Sequence, residues 1–290
     1  MSIFSGLEKF GLGNLKDEKV FDDKAVKETV TKKEAVKVAP TPFDERDVLF
    51  EKSCTCPVCD NKFNTLTVRA GKVHVKAVET DLRPVYEQVD MIKYDVVACP
   101  KCGYAALARY FDSILKRQKE EVAAKISSNF KPIDKKYEIY TYDDALDRYQ
   151  LALANAIVKN AKASEKAYLC LRYAWLIRGI LQDENMMAKP EYTPEKKAQL
   201  KEEEKELLKN AQDGFVQAKQ SEDFPIAGMN EITLDYLIAA LYVENEEYDK
   251  AGKIISSILT SRSATSRIKD KARDLKDLIQ EKKGVDEEDD

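Results

Sequence analysis

Apolar and polar positions along this chain follow two different periods, and the change falls near residue 103. Before it, Leu66, Val68 and Ala70 alternate with polar residues, and Val73, Val75 and Ala77 do the same beyond Gly71-Lys72. This alternation predicts a β-hairpin that turns at Gly71-Lys72. Val48-Leu49-Phe50 leads into a first group of cysteines, and Tyr94-Asp95-Val96-Val97-Ala98 predicts a strand running into a second. From Gly103 onward the spacing becomes helical. Ala145, Tyr149, Ala152 and Ala156 recur at three or four residues, as do Ala167, Leu171, Ala174, Arg178 and Leu181. The same holds for Leu200, Leu207, Ala211, Phe215 and Ala218, and for Ile268, Ala272, Leu275 and Ile279.

Boundary signals agree with that reading. Thr141 with Asp144 has the form of a capping box, and Thr193-Pro194 places a cap ahead of proline at a first helical position. The segment around Tyr168, Trp175 and Ile180 is apolar nearly all round, which predicts the central helix of a bundle. Residues 1–45 have a different character. Ile3, Phe4, Leu7 and Phe10 are helically spaced but interrupted by glycine, and Lys16 to Lys37 alternates charges with few large apolar groups. Such a composition buries too little surface to offset chain ordering, so a flexible charged leader is expected. The chain closes on Asp286-Glu287-Glu288-Asp289-Asp290, expected as a solvated tail. The expected organisation is therefore a leader (1–45), a small metal-built sheet (46–103), a helical domain (104–283) and an acidic tail (284–290).

Composition narrows the function classes. Of 290 residues, 34% are charged yet the formal net charge is only −4, with Lys and Arg spread along the chain. A nucleic-acid binder usually concentrates its basic residues on one face, so this distribution argues against one. No run approaches the ~20 apolar residues that span a bilayer. The start, MSIFSGLEKFGLGNL, lacks the basic and apolar regions of a signal peptide. The six cysteines are accordingly expected in a reducing cytoplasm, where Cys-x-x-Cys pairs mean metal or redox chemistry more often than disulfides.

Four of those cysteines form two such pairs, Cys56-Pro-Val-Cys59 and Cys99-Pro-Lys-Cys102-Gly103. A two-residue spacing lets one tight turn offer both sulfurs to one ion while its backbone N–H groups point at the thiolates. Gly103 can supply the positive φ such a knuckle needs after its second ligand, and Asp60-Asn61 holds the matching place in the first. Cys56, Cys59, Cys99 and Cys102 together complete the tetrahedron zinc prefers and leave no open position, which makes the expected zinc site structural. Iron and a redox dithiol are the alternatives, but the βαβ context of a thioredoxin-type motif is absent. Zinc binding is worth on the order of 10–16 kcal/mol, against a domain stability of ~5–15 kcal/mol, so so small a sheet should need its metal to fold. Cys54 faces the same side as Cys56 on an extended strand and is expected to be a passive neighbour. His74, the only histidine, is expected to face outward, and Cys170 to be a buried small hydrophobe. One histidine leaves little material for acid–base catalysis, and no phosphate loop or nucleophile elbow is present. No enzymatic activity is expected.

In the helical half, Ala239, Tyr242, Tyr248, Ala251, Ile255 and Ile258 sit at the spacings of a tetratricopeptide-type helix pair, and Tyr142, Ala145, Tyr149 and Ala152 repeat half of that pattern. Residues 54–111 run CTCPVCDNKF, TDLRPVY and YDVVACPKCGYAALARYF. In that order the segments resemble domain-of-unknown-function family 2225 of bacteria, over about residues 46–260. The resemblance implies a zinc-ribbon-like head on a tetratricopeptide-like body in a cytoplasmic bacterial protein, and it implies no activity. Asp60 stands where that family's pattern would carry glycine. Asp81, Pro84 and Tyr86 match its middle segment and are expected to bridge head and body.

The expected fold class is thus α+β, mostly α: a small zinc-ribbon-like β head followed by a tetratricopeptide-like helical bundle. The function this suggests is a zinc-binding scaffold or adaptor that contacts an unknown protein partner or a second copy of itself. The rivals are a nucleic-acid-associated zinc-ribbon protein, for which Lys62, Arg69, Lys72, Lys76 and Arg83 supply some charge, and a thiol-redox sensor.

Overall fold

A computed structural model describes residues 43–286. The leader expected over residues 1–45 and the tail expected over 284–290 fall largely outside that range. The described chain begins with strands and ends with helices, and it is α+β, mostly α. Six short strands form three separate antiparallel hairpins: β1 (Leu49–Thr55) with β2 (Lys62–Val68), β3 (Val75–Val78) with β4 (Pro84–Tyr86), and β5 (Val96–Ala98) with β6 (Ala105–Leu107). Eight helices follow: α1 (Lys116–Val122), α2 (Tyr142–Val158), α3 (Ala163–Gln182), α4 (Glu184–Met187), α5 (Pro194–Ser221), α6 (Glu231–Glu244), α7 (Tyr248–Thr260) and α8 (Ser266–Asp286). Among the described residues, no helix is long and apolar enough to cross a membrane.

Strand pairing differs from the expected hairpin. Leu66 and Val68 lie on β2, but β2 pairs with β1 in the register Leu49↔Val68 to Thr55↔Lys62. The chain at Gly71-Lys72 forms a short 3₁₀ turn over Ala70–Lys72, and β3 pairs onward with β4. A two-residue hairpin needs positive φ at its centre. Among the described glycines only Gly103 and Gly228 adopt it, so Gly71 turns the chain without reversing it. The strand expected at Tyr94 starts two residues later, at Val96. Met91–Tyr94 is a 3₁₀ turn capped by Asp90, whose carboxylate accepts from the Ile92 N–H at 3.0 Å.

The helical expectations correspond to observed elements. Thr141 and Asp144 form the capping box of α2, and Thr193 caps α5 ahead of Pro194. The helix around Trp175 is α3, central in fact: it is buried along most of its length and packs against α5 and α2. Its neighbours place small residues at the contacts. Gly214 of α5 lies so near Ala167 of α3 that an added Cβ would stand 2.9 Å from the alanine Cβ. At the far end, α6 and α7 are joined by residues 245–247 and enclose a second cluster with α8, built on Ala239, Ala251, Ile255, Ile258, Ala272 and Leu275.

The β5–β6 hairpin lies at the join between strands and helices, and residue 103 falls inside it. Strand side chains alternate between faces. Val96, Ala105 and Leu107 face the main helical core with Ala145, Tyr149 and Ala152, whereas Val97 and Ala106 belong to the cysteine cluster. Both faces are buried, which is why this stretch reads as a continuous apolar run.

Polar groups tie the same region down. Asp95 pairs with Arg172 of α3, and Arg148 of α2 donates to the Val96 carbonyl at 3.1 Å. The turn between β3 and β4 is anchored separately. Asp81 is almost fully buried and accepts from Trp175 Nε1 at 2.7 Å and Arg178 Nη1 at 2.9 Å. It therefore bridges strands and helices, as its sequence position suggested. Pro84 and Tyr86 lie half-buried on β4, with Tyr86 packed against the cluster of Val48, Leu66, Val89 and Tyr94.

Candidate metal centre

Each Cys-x-x-Cys pair forms the turn of a hairpin, and the two turns share one backbone design. In the first, the Cys56 N–H donates to the Asn61 carbonyl at 2.9 Å and the Asp60 N–H donates to the Cys56 carbonyl at 2.9 Å. In the second, Cys99 donates to Tyr104 at 2.8 Å and Gly103 to Cys99 at 3.1 Å. The residue after each second cysteine has left-handed φ, +56° at Asp60 and +73° at Gly103. Aspartate tolerates that region better than most residues. Asp60 thus takes the strained position itself, and Asn61 is freed to approach Cys99 Sγ at 3.9 Å.

This geometry brings all four sulfurs together. Cys56 Sγ lies 3.6 Å from Cys102 Sγ, Cys59 Sγ lies 3.7 Å from Cys99 Sγ, and all four are within 4.8 Å of one another. A tetrahedron with zinc–sulfur bonds of ~2.3 Å has edges of about 3.8 Å, so the donor set fits one such ion. A disulfide needs sulfurs ~2.05 Å apart, and all six cysteines are free thiols. Among the described residues no other group of three or more His, Cys, Asp or Glu converges in this way.

The electrostatics divide the cluster. The Cys102 and Cys99 thiols, with burial, push Cys56 well above the ordinary thiol range despite the N–H groups of Val58 and Cys59, and Cys102 is pushed up to about 12 although Cys56 and the Tyr104 N–H act to lower it. Cys99 is held well below the ordinary thiol range by the neighbouring thiols of Cys102 and Cys56 and by the N–H groups of Cys102 and Lys101. Hydrogen bonds to the charged form stabilise it. Cys56, Cys99 and Cys102 are buried and Cys59 is half-buried, in a setting that includes Val97, Tyr104, Phe111 and Val122. A buried set of four converging sulfurs can hold a cation firmly and offers it no vacant position for substrate.

The residues judged bystanders stay outside the cluster. Cys54 sits on β1 opposite Phe63, half-buried, with its thiol raised by burial. His74 is exposed, one residue before β3. Cys170 is buried in α3, where desolvation pushes its thiol up to about 11.

Several supporting residues escaped the sequence reading. Residues 129–141 form a strap across the second knuckle: the Phe130 ring lies against Gly103, and the Ile133 N–H donates to the Pro100 carbonyl at 2.9 Å. The strap ends at buried Tyr140, whose hydroxyl accepts from the Leu66 N–H at 3.1 Å and whose ring lies under Arg148. Asn155, fully buried on α2, donates from Nδ2 to the Gly103 carbonyl at 2.9 Å. The signal for Asn155 was available, because an amide between Ala152 and Ala156 on an apolar stripe requires a buried partner. Nothing in the pattern indicated which partner.

These features define a class: an α+β protein in which two hairpin knuckles close one four-cysteine cluster against a helical body. The chain belongs to the bacterial family described as "Uncharacterized protein conserved in bacteria (DUF2225)", whose model matches residues 49–279. No curated protein and no solved structure matches the chain.

Proposed function

We propose that this protein is a cytoplasmic, non-catalytic scaffold whose zinc-ribbon-like head is held by one zinc ion and whose tetratricopeptide-like helical body contacts a protein partner or a second copy of the chain. The observation that carries the zinc assignment is the set of sulfur separations, 3.6 and 3.7 Å, close to the edge of a zinc tetrathiolate. Cys56, Cys59, Cys99 and Cys102 would hold the ion. When bound, it supplies cross-linking and charge neutralisation, not an activated water.

Support for a contact role comes from the helices. A groove of about 450 Å³ runs between α2 and α5 over α3, with Leu153 and Ile157 on one wall, Asn210 and Gln217 on the other, and Ala167 and Cys170 in its floor. Ile157 is 63% exposed there, a large apolar side chain left open at a groove rim. Grooves between packed helices are common protein-binding surfaces.

The test has two readouts. Elemental analysis of the purified chain is expected to give one zinc per chain, and cobalt substitution a tetrahedral thiolate spectrum. Cross-linking and affinity purification from the native host are expected to return one partner, or a second copy, in fixed stoichiometry that Ile157→Asp releases. A metal-bound chain that stays monomeric and partnerless in its host would overturn the scaffold reading.

A further inference from the structure

The four-cysteine cluster and the helical core share one piece of chain. Val97 and Ala106 of the β5–β6 hairpin face the sulfurs, and Val96, Ala105 and Leu107 face α2 and α3. The hairpin has three residue pairs, too few to persist on its own. Its order therefore depends on what stands on each face. The helices also hold the knuckle backbone itself, through Asn155 Nδ2 on the Gly103 carbonyl, one residue after Cys102. Behind the strand, Tyr149 donates to the Ile92 carbonyl at 3.1 Å and Arg172 pairs with Asp95. Burial works against charge on Arg172, yet Asp95, Tyr149 and Tyr168 keep its guanidinium firmly charged. That pair needs its alignment: a buried charge left without its partner is strongly destabilising.

We propose that the β5–β6 hairpin couples the metal site to the helical body, so that loss of the ion loosens the packing of α2 and α3 and with it the groove between α2 and α5. The proposal rests on the zinc reading above. Coupling of this kind is reciprocal, so packing on the helical face of the hairpin must in turn set how tightly the ion is held. The device makes the contact surface conditional on metal. A chain stripped of zinc by chelation would present a different groove.

Trp175 is a built-in reporter, being the only tryptophan and lying in α3 with its indole N–H on Asp81, outside the cysteine cluster. The experiment uses the full chain. Metal per chain is measured first, then the ion is withdrawn stepwise with a mercurial and a chelator while Trp175 emission and far-UV circular dichroism are followed. Both signals are expected to change with the midpoint of metal release. Metal release with Trp175 emission unchanged would overturn the coupling and leave the zinc reading intact. A purified chain without metal would overturn both.

The reciprocal arm uses Asn155→Ser, which touches no sulfur, and is expected to speed metal loss by about tenfold or more. Ile258→Ala, equally buried but in the α6–α8 cluster, is expected to leave the rate unchanged. Equal acceleration by both would mean general destabilisation and would overturn the proposal. Should Asn155→Ser fail to fold, Leu107→Val probes the same face.

Discussion

The two knuckles have matching backbones but very different surroundings. The first closes β1–β2, where five of the seven β1 residues are exposed, Phe50 among them with the Arg69 guanidinium over its ring. The second closes β5–β6, buried on both faces, crossed by the strap at residues 129–141 and held by Asn155. A cysteine knuckle is a local object, fixed by spacing and one left-handed residue. How much of the molecule depends on it is decided by what packs behind it. Metal chemistry alone makes the four sulfurs equivalent; the packing makes the second knuckle part of the core and the first a clasp at its edge.

Changes at the two sites sharpen that contrast. The largest effect is expected from Cys99→Ser, which would remove one ligand of the proposed zinc, whose site would be worth on the order of 10 kcal/mol. Metal analysis should find the ion lost or exchangeable, and thermal melting should show loss of the cooperative transition. Next comes Leu107→Ala, behind the second knuckle, expected to cost about 2–5 kcal/mol in denaturant unfolding. Phe50→Ala, on the exposed strand that leads to the first, is expected to cost under about 1 kcal/mol. Equal costs would remove the distinction between core and clasp.

Substitutions at the matched left-handed positions should have opposite signs. Gly103→Ala adds a Cβ that would stand 2.5 Å from the Phe130 ring, and it forces an L-residue into a conformation costing ~1–2 kcal/mol. With the overpacking included, the loss should be about 2–4 kcal/mol. Asp60→Gly relieves the same strain and should be neutral or stabilising by about 1 kcal/mol. Denaturant midpoints of the two variants check the pair.

The smallest effect concerns Asp90, at the junction of the strands with α3. Burial first, with Asp95 adding, raises its carboxyl above the ordinary range despite the Ile92 N–H, Arg83 and Arg172. The folded state therefore holds this proton more tightly than the unfolded chain, and the contribution of Asp90 to stability falls as pH rises through that window. Asp90→Asn removes the titration. Its stability relative to wild type should increase with pH across the carboxylate range; a gap independent of pH would show that Asp90 does not titrate in the fold.

Gly179 of α3 shows why part of this arrangement could not be read in advance. A glycine within a helix is unfavourable by about 1 kcal/mol, and nothing local explains it. In the fold a Cβ there would meet Asp90 Oδ2 at 2.7 Å and Arg83 Nη2 at 3.1 Å, groups about ninety residues or more away in sequence. The hairpin expected at Gly71 failed for a related reason. Alternation locates a strand and its two faces but does not choose its partner. The cysteine knuckle, a tighter reversal than Gly71-Lys72 provides, joined β2 to β1 instead.

By itself the sequence determined the features whose physics is local: the two Cys-x-x-Cys turns, the capping box of α2 and the Thr193 cap of α5, and the helical stripes whose buried residues recur where the spacing put them. It also placed the chain in its family, through the residues around those turns. Only the tertiary structure decided which strands pair, that one hairpin is shared between the sulfur cluster and the helical core, and that Asp81, Asn155 and Arg172 find partners there. Those outcomes depend on contacts between residues far apart in the chain, and their energies appear only once the backbone has brought the groups together.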